Sequence, residues 1–366
     1  MTERQPTTQR GRIRVTGFDG SVIEERDEFS WEADESTVAR GRWERAWKRF
    51  KTNRTALFGL AIIGLMAFFA IFARPITVAG IPIQPISLAP FEPGASNFGA
   101  VLEPPSLTHP FGTDWSGKDM FSRIIYGGRF SLSIGFIAVS LALAVGVPLG
   151  SIAGYYGGLI DDIIMRIVDI LYSFPFLVLA IALIAVLGQG FWKLILALVL
   201  VVWIGYARII RGEILSVKEN EYVLAARALG ARDRSIIFRH IVPNAIAPVI
   251  VQATLGIGTI VLLAAALGFL GLGLEPGTSE WGSMLSQGRD SLIQGDWWVT
   301  VFPGLAIFLF VLSINLVGDG IRDAIDPQGD LGEVHDNGTT RSRKPGDELL
   351  HRGGKGQGCQ RHLLRY

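Results

Sequence analysis

Hydrophobic positions in this chain come in long unbroken blocks, not in the three-and-four spacing of a soluble helix or the alternation of a half-buried strand. Thr55 to Ala73 carries no charge and spans roughly 28 Å at 1.5 Å per residue, enough for one crossing of a bilayer. Phe130 to Ile160 is a second uncharged block, interrupted by Pro148 and several glycines. Asp161, Asp162, Arg166 and Asp169 mark the turn into a third, which runs to about Leu187. Phe191 to Ile210 is a fourth, with Lys193 placed to snorkel at its outer end. Ile241 to Leu274 holds a fifth in 34 residues without a charge. That is longer than one crossing needs, so its ends are expected to extend beyond the bilayer or to bend at Gly268, Gly271 and Gly273. Trp297 to Gly318 is the sixth. Pro175, Pro248 and Pro303 fall within these blocks, as packing kinks or as hinges. The pattern predicts an all-α polytopic membrane protein with six transmembrane helices.

The polar stretches divide the chain further. Residues 1 to about 38 show no sustained apolar period and are expected to be a disordered or loosely held cytoplasmic extension. In Gly41 to Arg54, Trp43, Trp47 and Phe50 recur at spacings of four and three among six basic residues. That is a basic amphipathic helix suited to the membrane surface, with Trp at headgroup level. The Pro- and Gly-rich segment after Ala73 reads as a folded, irregular extracytoplasmic loop. From Gly329 the chain turns Gly-, Arg- and Asp-rich with no apolar period, and no function is assigned to it. The expected organisation is residues 1–54 as N-terminal extension, 55–128 as first span and outer loop, 129–318 as transmembrane core, and 319–366 as a cytoplasmic, disordered tail.

Composition agrees with a membrane class: 49% of residues are hydrophobic and only 18% charged. The first apolar block begins near Thr55, too deep for a cleaved signal peptide, so it is read as a retained span. The net charge of +1 gives no sign of a nucleic-acid partner. A single cysteine, Cys359, excludes an intramolecular disulfide and a multi-cysteine metal site. Orientation follows from Lys and Arg near the span ends. Arg42, Arg45, Lys48, Arg49, Lys51 and Arg54 lie before the first span, and Arg208, Arg211, Lys218, Arg227, Arg232, Arg234 and Arg239 between the fourth and fifth. The loop after span five has only Arg289. Six spans with both termini cytoplasmic place the segment around Glu221 in the cytoplasm.

That segment, Glu221 to Pro243, is a polar island between two apolar blocks. Asn220 suits an N-cap, Glu221 a first turn, and Tyr222 to Leu229 are mostly strong helix formers. Gly230 reads as the left-handed residue that ends the helix. A second short helix, Arg232 to His240, is expected to stop before Pro243. Ala225 and Ala226 are small enough for a partner to approach the backbone, and the four arginines from Arg227 to Arg239 offer forked donors. From spacing alone, a docking element and a basic loop that only sets topology are equally good readings.

The island resembles the EAA loop of ATP-binding-cassette transporter permeases, in the detailed form found in the dipeptide/oligopeptide family. The residues that match are Glu221, Tyr222, Val223, Ala225, Ala226, Arg227, Ala228, Leu229, Gly230 and Ala231, then Arg239, His240, Pro243 and Asn244. Leu224 stands where the general pattern has Glu, and His240 to Pro243 replace Ile-x-Leu-Pro, departures usual in the peptide subfamily. Further matches run from about Phe50 to Pro327. They include His109-Pro-Phe-Gly-Thr-Asp114 with Gly117, Asp119, Ser122 and Arg123, where Lys118 replaces the usual Arg. Gly128-Arg129-x-Ser131-Leu132, Gly154-Tyr155-x-Gly157-Gly158 with Asp161, Asp169, Ser173-Phe174-Pro175 and Trp281-Gly282-x-Met284-Leu285 also fit.

The resemblance implies a type I importer permease, of the subunit type with an extra N-terminal span and a large first outer loop. The implied partners are a second homologous permease, two ATPase subunits, an extracytoplasmic solute-binding protein and membrane lipid. The implied location is the cell membrane, and the implied cargo is peptides or similar solutes. Glu221, Tyr222, Ala225, Ala226, Arg227, Leu229, Gly230 and Ala231 would form the helix that sits in a groove of the ATPase. The substrate-binding residues are not legible, and dipeptides, oligopeptides, nickel complexes and some sugars all fall within the family's range.

No catalytic set, cofactor motif or metal site is expected. Gly112 to Lys118 satisfies Gly-x-x-x-x-Gly-Lys, but Asp119 follows where a phosphate loop needs Ser or Thr. The chain is therefore expected to lack an ATP-hydrolysing site. His109 and His240 are isolated, and His335, His351 and His362 lie in the tail. Asp169, well inside an apolar block, should face protein or water, paired with Arg166 or a partner subunit rather than lining the pore. The competing class, a self-contained secondary transporter or channel, is disfavoured by the scarcity of ionisable residues in the spans and the lack of an inverted repeat. A membrane-bound enzyme ranks third, having no nucleophile–base pair.

Overall fold

The computed structural model describes residues 35–78 and 81–325, and over these the long apolar blocks are helical. The first helix, α1 (Glu35–Thr52), begins before the expected basic helix and ends two residues short of it, Arg54 starting the next helix. Exposed Trp47 stacks on the buried ring of Phe50, with centroids 5.9 Å apart. Trp43's side chain, the N-terminal extension and the tail beyond residue 325 lie outside the described residues. Asn53 separates α1 from α2 (Arg54–Phe72) because its side chain accepts from the Ala56 amide at 3.1 Å, an N-cap that starts a new helix.

The loop after α2 holds a two-stranded antiparallel ribbon, β1 (Ile76–Val78) and β2 (Ile81–Gln84), and is otherwise irregular. Asp119 then caps α3 (Met120–Tyr156), accepting from Ser122 N at 2.8 Å. The third apolar block departs from expectation. It folds as α4 (Gly158–Tyr172) and α5 (Phe176–Leu187), which meet at 90°. Pro175 has no N–H and disfavours helix at Phe174, so the chain must turn there. α6 (Phe191–Val217) follows, then the polar island, with α7 (Glu221–Ala228), α8 (Asp233–Ser235), a π-helical turn (Ile236–Ile241) and α9 (Val242–Ala245).

The fifth block yields α10 (Ala247–Phe269), which Gly271 closes at φ +75° while Leu272 N donates back to Leu267 O at 2.8 Å. Pro248 lies in the first turn of α10 and Pro175 caps α5, so neither is an interior kink; Pro148 in α3 and Pro303 in α13 are interior. Short α11 (Trp281–Gln287) and α12 (Arg289–Gln294) lead to α13 (Trp298–Ile325). α13 runs past the expected end at Gly318, because Gly320 packs on Ala56 and Ala324 stays buried. Among the described residues, five helices are long and apolar enough to cross a membrane, and the bent α4–α5 pair brings the number to six if it is one broken span rather than a re-entrant loop.

α3 packs against α2, α6, α10 and α11. Its contact with α6 is backbone on backbone. A Cβ at Gly146 would lie 2.6 Å from Trp203 O, one at Gly150 2.3 Å from Ala207 O, and one at Gly154 3.0 Å from Arg211 O. The four-residue spacing puts all three glycines on one stripe of α3.

The motif from His109 to Arg123 is a buried cap over one end of the bundle. Asp114 accepts from the amides of Ser116 (2.7 Å) and Lys118 (2.9 Å) and pairs with Arg123, which also donates to Gln287 Oε1 at 2.8 Å. The amides that a phosphate loop would offer are thus filled by the chain's own carboxylate. His109 is not isolated: Nδ1 lies 2.9 Å from Asp119 Oδ1, and the ring stacks near Phe91. Beside this cap, Glu280 accepts from Gly282 N and Ser283 N at 2.8 Å each to start α11. Burial pushes its carboxyl above the usual carboxylate range, and those two amides pull it back.

The glycine stripe makes a contrast that can be measured. Gly150→Leu would drive α3 from α6, an overpacking that costs about 1–3 kcal/mol or more. Gly212, on α6, has nothing near its Cβ position. Thermal unfolding in detergent should show Gly150→Leu strongly destabilised or aggregated, and Gly212→Ala neutral or stabilised by up to about 1 kcal/mol.

Candidate functional site

The polar island folds as a compact elbow at the end of the bundle where α3 and α6 finish. Asn220 occupies the N-cap position, but its side chain makes no cap; its carbonyl accepts from Val223 N (3.0 Å) and Leu224 N (3.2 Å). α7 ends as the sequence predicts. Gly230 takes φ +78°, its amide donates to Arg227 O at 3.0 Å, and Ala231 N donates to Ala226 O at 3.1 Å. This pair of bonds is a Schellman cap, which needs a residue free to enter the left-handed region.

The second helix does not stop before Pro243. α8 widens into the π turn, in which Val242 N donates to Ile237 O, and the chain continues into α9. Pro243 has no donor for the carbonyl of Arg239 and would clash with it in an α-helix. The extra residue of the π turn moves Pro243 into the first turn of α9, where a missing N–H costs nothing. Asn244 Nδ2 satisfies His240 O at 2.7 Å.

One side of the elbow is anchored. Val223, Ile236 and Ile241 are fully buried. Tyr155, next to last in α3, donates from its hydroxyl to Asp233 Oδ1 at 2.8 Å, and Arg227 lies over its ring at 5.4 Å. Lys218 Nζ donates to Gly154 O at 3.1 Å. The other side is open. Glu221, Tyr222, Ala225, Arg227, Leu229 and Gly230 are exposed, while Ala226 and Ala231 are half-buried. Leu229 is 88% exposed and Phe238 64%, and Leu224 is exposed as well. Large apolar side chains exposed beside a buried anchor are a feature of interaction surfaces.

Two ion pairs join the spans near this elbow. Arg211 makes a bidentate pair with Asp161, both bonds 2.5 Å, linking α6 to α4. Asp169 pairs with Arg208 at 2.5 Å, not with Arg166, because the return of α6 beside α4 brings Arg208 alongside. Sequence spacing gave no route to these partners or to Tyr155–Asp233, whose members lie 78 positions apart. The Gly154-Tyr155 match and the position of Asp161 were the available signals.

The family described as "Binding-protein-dependent transport system inner membrane component" matches residues 146–328, and "N-terminal TM domain of oligopeptide transport permease C" matches residues 41–105. A dipeptide transport system permease protein of Alkalihalophilus pseudofirmus is 46% identical over 286 residues, 78% of this chain and 90% of that protein. A glutathione transport system permease protein of Escherichia coli is 41% identical over 289 residues, again 78% and 90%. A di/tripeptide transport system permease protein of Pseudomonas aeruginosa is 40% identical over 302 residues, 81% and 95%.

The tie between α3 and the elbow has a local test. Tyr155→Phe removes one hydrogen bond worth about 0.5–1.5 kcal/mol. Hydrogen exchange of the amides in 221–241 should accelerate by roughly 2- to 10-fold. Tyr156→Phe, whose hydroxyl has no hydrogen bond among the described residues, should leave exchange unchanged.

Proposed function

The chain belongs to the binding-protein-dependent transport system inner membrane components, the permeases of ATP-binding-cassette importers, and from that premise we propose that its cargo is short peptides. The observation that carries the cargo is the identity of 40–46% to relatives named for dipeptide, di/tripeptide and glutathione transport, over 90–95% of their lengths. Glutathione is itself a tripeptide, so the three names share one chemistry.

The membrane subunit of such an importer works with ATPase and solute-binding partners. In the assembly proposed here this chain pairs with one homologous permease, two ATPase subunits and one external binding protein. Both termini and the elbow face the cytoplasm, as the basic residues around the first span and the island favour. ATP is hydrolysed by the partners. Support for the last point comes from Asp114, whose carboxylate occupies the amides of the only Gly-x-x-x-x-Gly-Lys string.

Glu221, Tyr222, Ala225, Ala226, Arg227, Leu229, Gly230 and Ala231 are proposed to seat in the ATPase. Their support is the open face of α7 and the exposed Leu229 beside it. When nucleotide moves the ATPases, α7 would swing as a rigid piece and pull α3 through Tyr155 and Lys218.

The elbow can be disabled without touching the spans. Gly230→Pro forbids φ +78° and removes the amide that bonds Arg227 O. Ala226→Asp puts a carboxylate on the seating helix. Both should insert in the membrane normally. In reconstituted importer both should cut peptide uptake at least tenfold and lose the ATPase subunits from mild-detergent purifications, read by mass spectrometry. Normal uptake by both, or purification of the unaltered chain without any ATPase, would defeat the proposal.

A further inference from the structure

On the importer reading above, we propose that a groove between the α4–α5 bend, α6 and α10 is the surface over which the peptide passes. Tyr206 and Gln252 would be its uncharged hydrogen-bonding contacts to the peptide backbone.

The groove encloses about 540 Å³, and its lining includes Tyr172, Phe174, Tyr206, Gln252, Gly256 and Thr259. Its size and mixed lining are those of a small-molecule site. Gln252, Gly256 and Thr259 share one face of α10 by their spacing of four and three. Gly256 makes room for the Tyr206 hydroxyl: a Cβ there would lie 2.3 Å from Oη. Among the described residues neither the Tyr206 hydroxyl nor the Gln252 amide has a hydrogen-bond partner, and neither is sealed from the groove. Thr259 makes only a 3.5 Å contact to Leu255 O within its own helix.

Such groups cannot face lipid, because hydrocarbon offers them nothing to bond. Three further features suit a face turned to water rather than to lipid. The Asp169–Arg208 pair stands beside it, with side chains 62% and 37% exposed. Arg208 also lies over the Tyr172 ring at 4.2 Å. The α4–α5 break interrupts the helical backbone at mid-span, with Phe174 52% exposed and no side-chain cap on α5. Irregular backbone at membrane depth persists only inside protein or along a water-filled cavity. By contrast, the exposed large side chains of α2, among them Phe58, Leu65 and Phe68, are apolar, as a lipid face requires.

The chemistry favours a peptide backbone over any one side chain. An amide and a phenol each donate and accept, so they can follow the alternating C=O and N–H groups of any sequence. The lining residues carry no fixed charge that would demand a particular side chain or hold the cargo too long.

The test uses the assembled importer. The chain's one cysteine is Cys359, so Cys359→Ser gives a clean background. Into it go Gln252→Cys, Thr259→Cys and, as lipid-facing control, Leu65→Cys. In membrane vesicles, a charged, membrane-impermeant thiosulfonate should label the first two and spare the third. L-alanyl-L-alanine, added with binding protein and ATP, should slow labelling at Gln252→Cys severalfold. Tyr206→Phe with Gln252→Leu should lower dipeptide moved per ATP hydrolysed about fivefold or more, with binding-protein-stimulated ATP hydrolysis retained.

No labelling at either groove position would overturn the proposal, assigning the face to lipid or, if the same thiols cross-link to the second permease, to a subunit interface. Labelling that the dipeptide never slows would overturn the peptide contact. Failure of the cargo reading is separate: it appears as no peptide-dependent ATP hydrolysis in the unaltered importer.

Discussion

Lipid tails are as apolar as leucine side chains, so spans gain little by hiding leucines from their surroundings; what holds them together is how closely they pack. In this chain the closest approach is α3 on α6 at Gly146, Gly150 and Gly154, where backbone meets backbone. Much of the rest depends on it. With the two helices in register, Gly154 O comes within reach of Lys218, and Tyr155 stands where the elbow returns. Arg211, on the same stretch of α6, then meets Asp161 just beyond the end of α3. Bulk at any of the three glycines would loosen the packing and these polar ties together.

The apolar blocks and the ends of helices were largely legible in the sequence. Length without charge marks a span, and Gly230 marked the end of α7 because only a glycine enters the left-handed region freely. Local chemistry is written locally. The interruptions read less well. Pro175 signalled a kink, but its 90° size depends on what α5 packs against, and that is not a local property. Pro243 looked like a stop and instead sits behind a π turn, because one extra residue absorbs its missing donor. The partner of Asp169 was misjudged toward the nearest arginine in sequence, while tertiary packing supplied Arg208. Of the candidate site, the helix and its glycine end were legible in the residues themselves, while the docking role rests on the resemblance to a known loop. Their anchor, Tyr155 on Asp233, was not, since no spacing rule joins positions so far apart.

The cap near Asp114 shows how one string serves opposite ends. A glycine-rich turn presents several amides to one point, and an anion will occupy that point. In a phosphate loop the anion is nucleotide. Here it is the chain's own Asp114, whose charge is matched by buried Arg123. Such a pair contributes little net stability, because removing two charges from water costs several kcal/mol per ion. Its value lies in register: Arg123 reaches Gln287 of α11 at the same time, so the loop after α2, the start of α3 and the segment after α10 close on one another.

The elbow and the groove lie at opposite ends of a continuous set of contacts. From Tyr155 the glycine stripe of α3 leads along α6 to Tyr206, which faces Gly256 of α10. From Arg211, Asp161 leads along α4 to Tyr172 on the groove's other side. Contiguity alone is not coupling; a two-state element that both ends bias is also required. The α4–α5 bend has the right character for that element. It is a proline-directed break between two helices, bordered by exposed side chains rather than locked by a packed core. Small rotations of α4, driven through Asp161, would change the angle of α5 and so the width of the groove without breaking a helical hydrogen bond. A lever acting on a hinge that this chain leaves loosely packed needs to disrupt little packing, and this favours the bend over the glycine seam as the place where motion of the elbow would be absorbed.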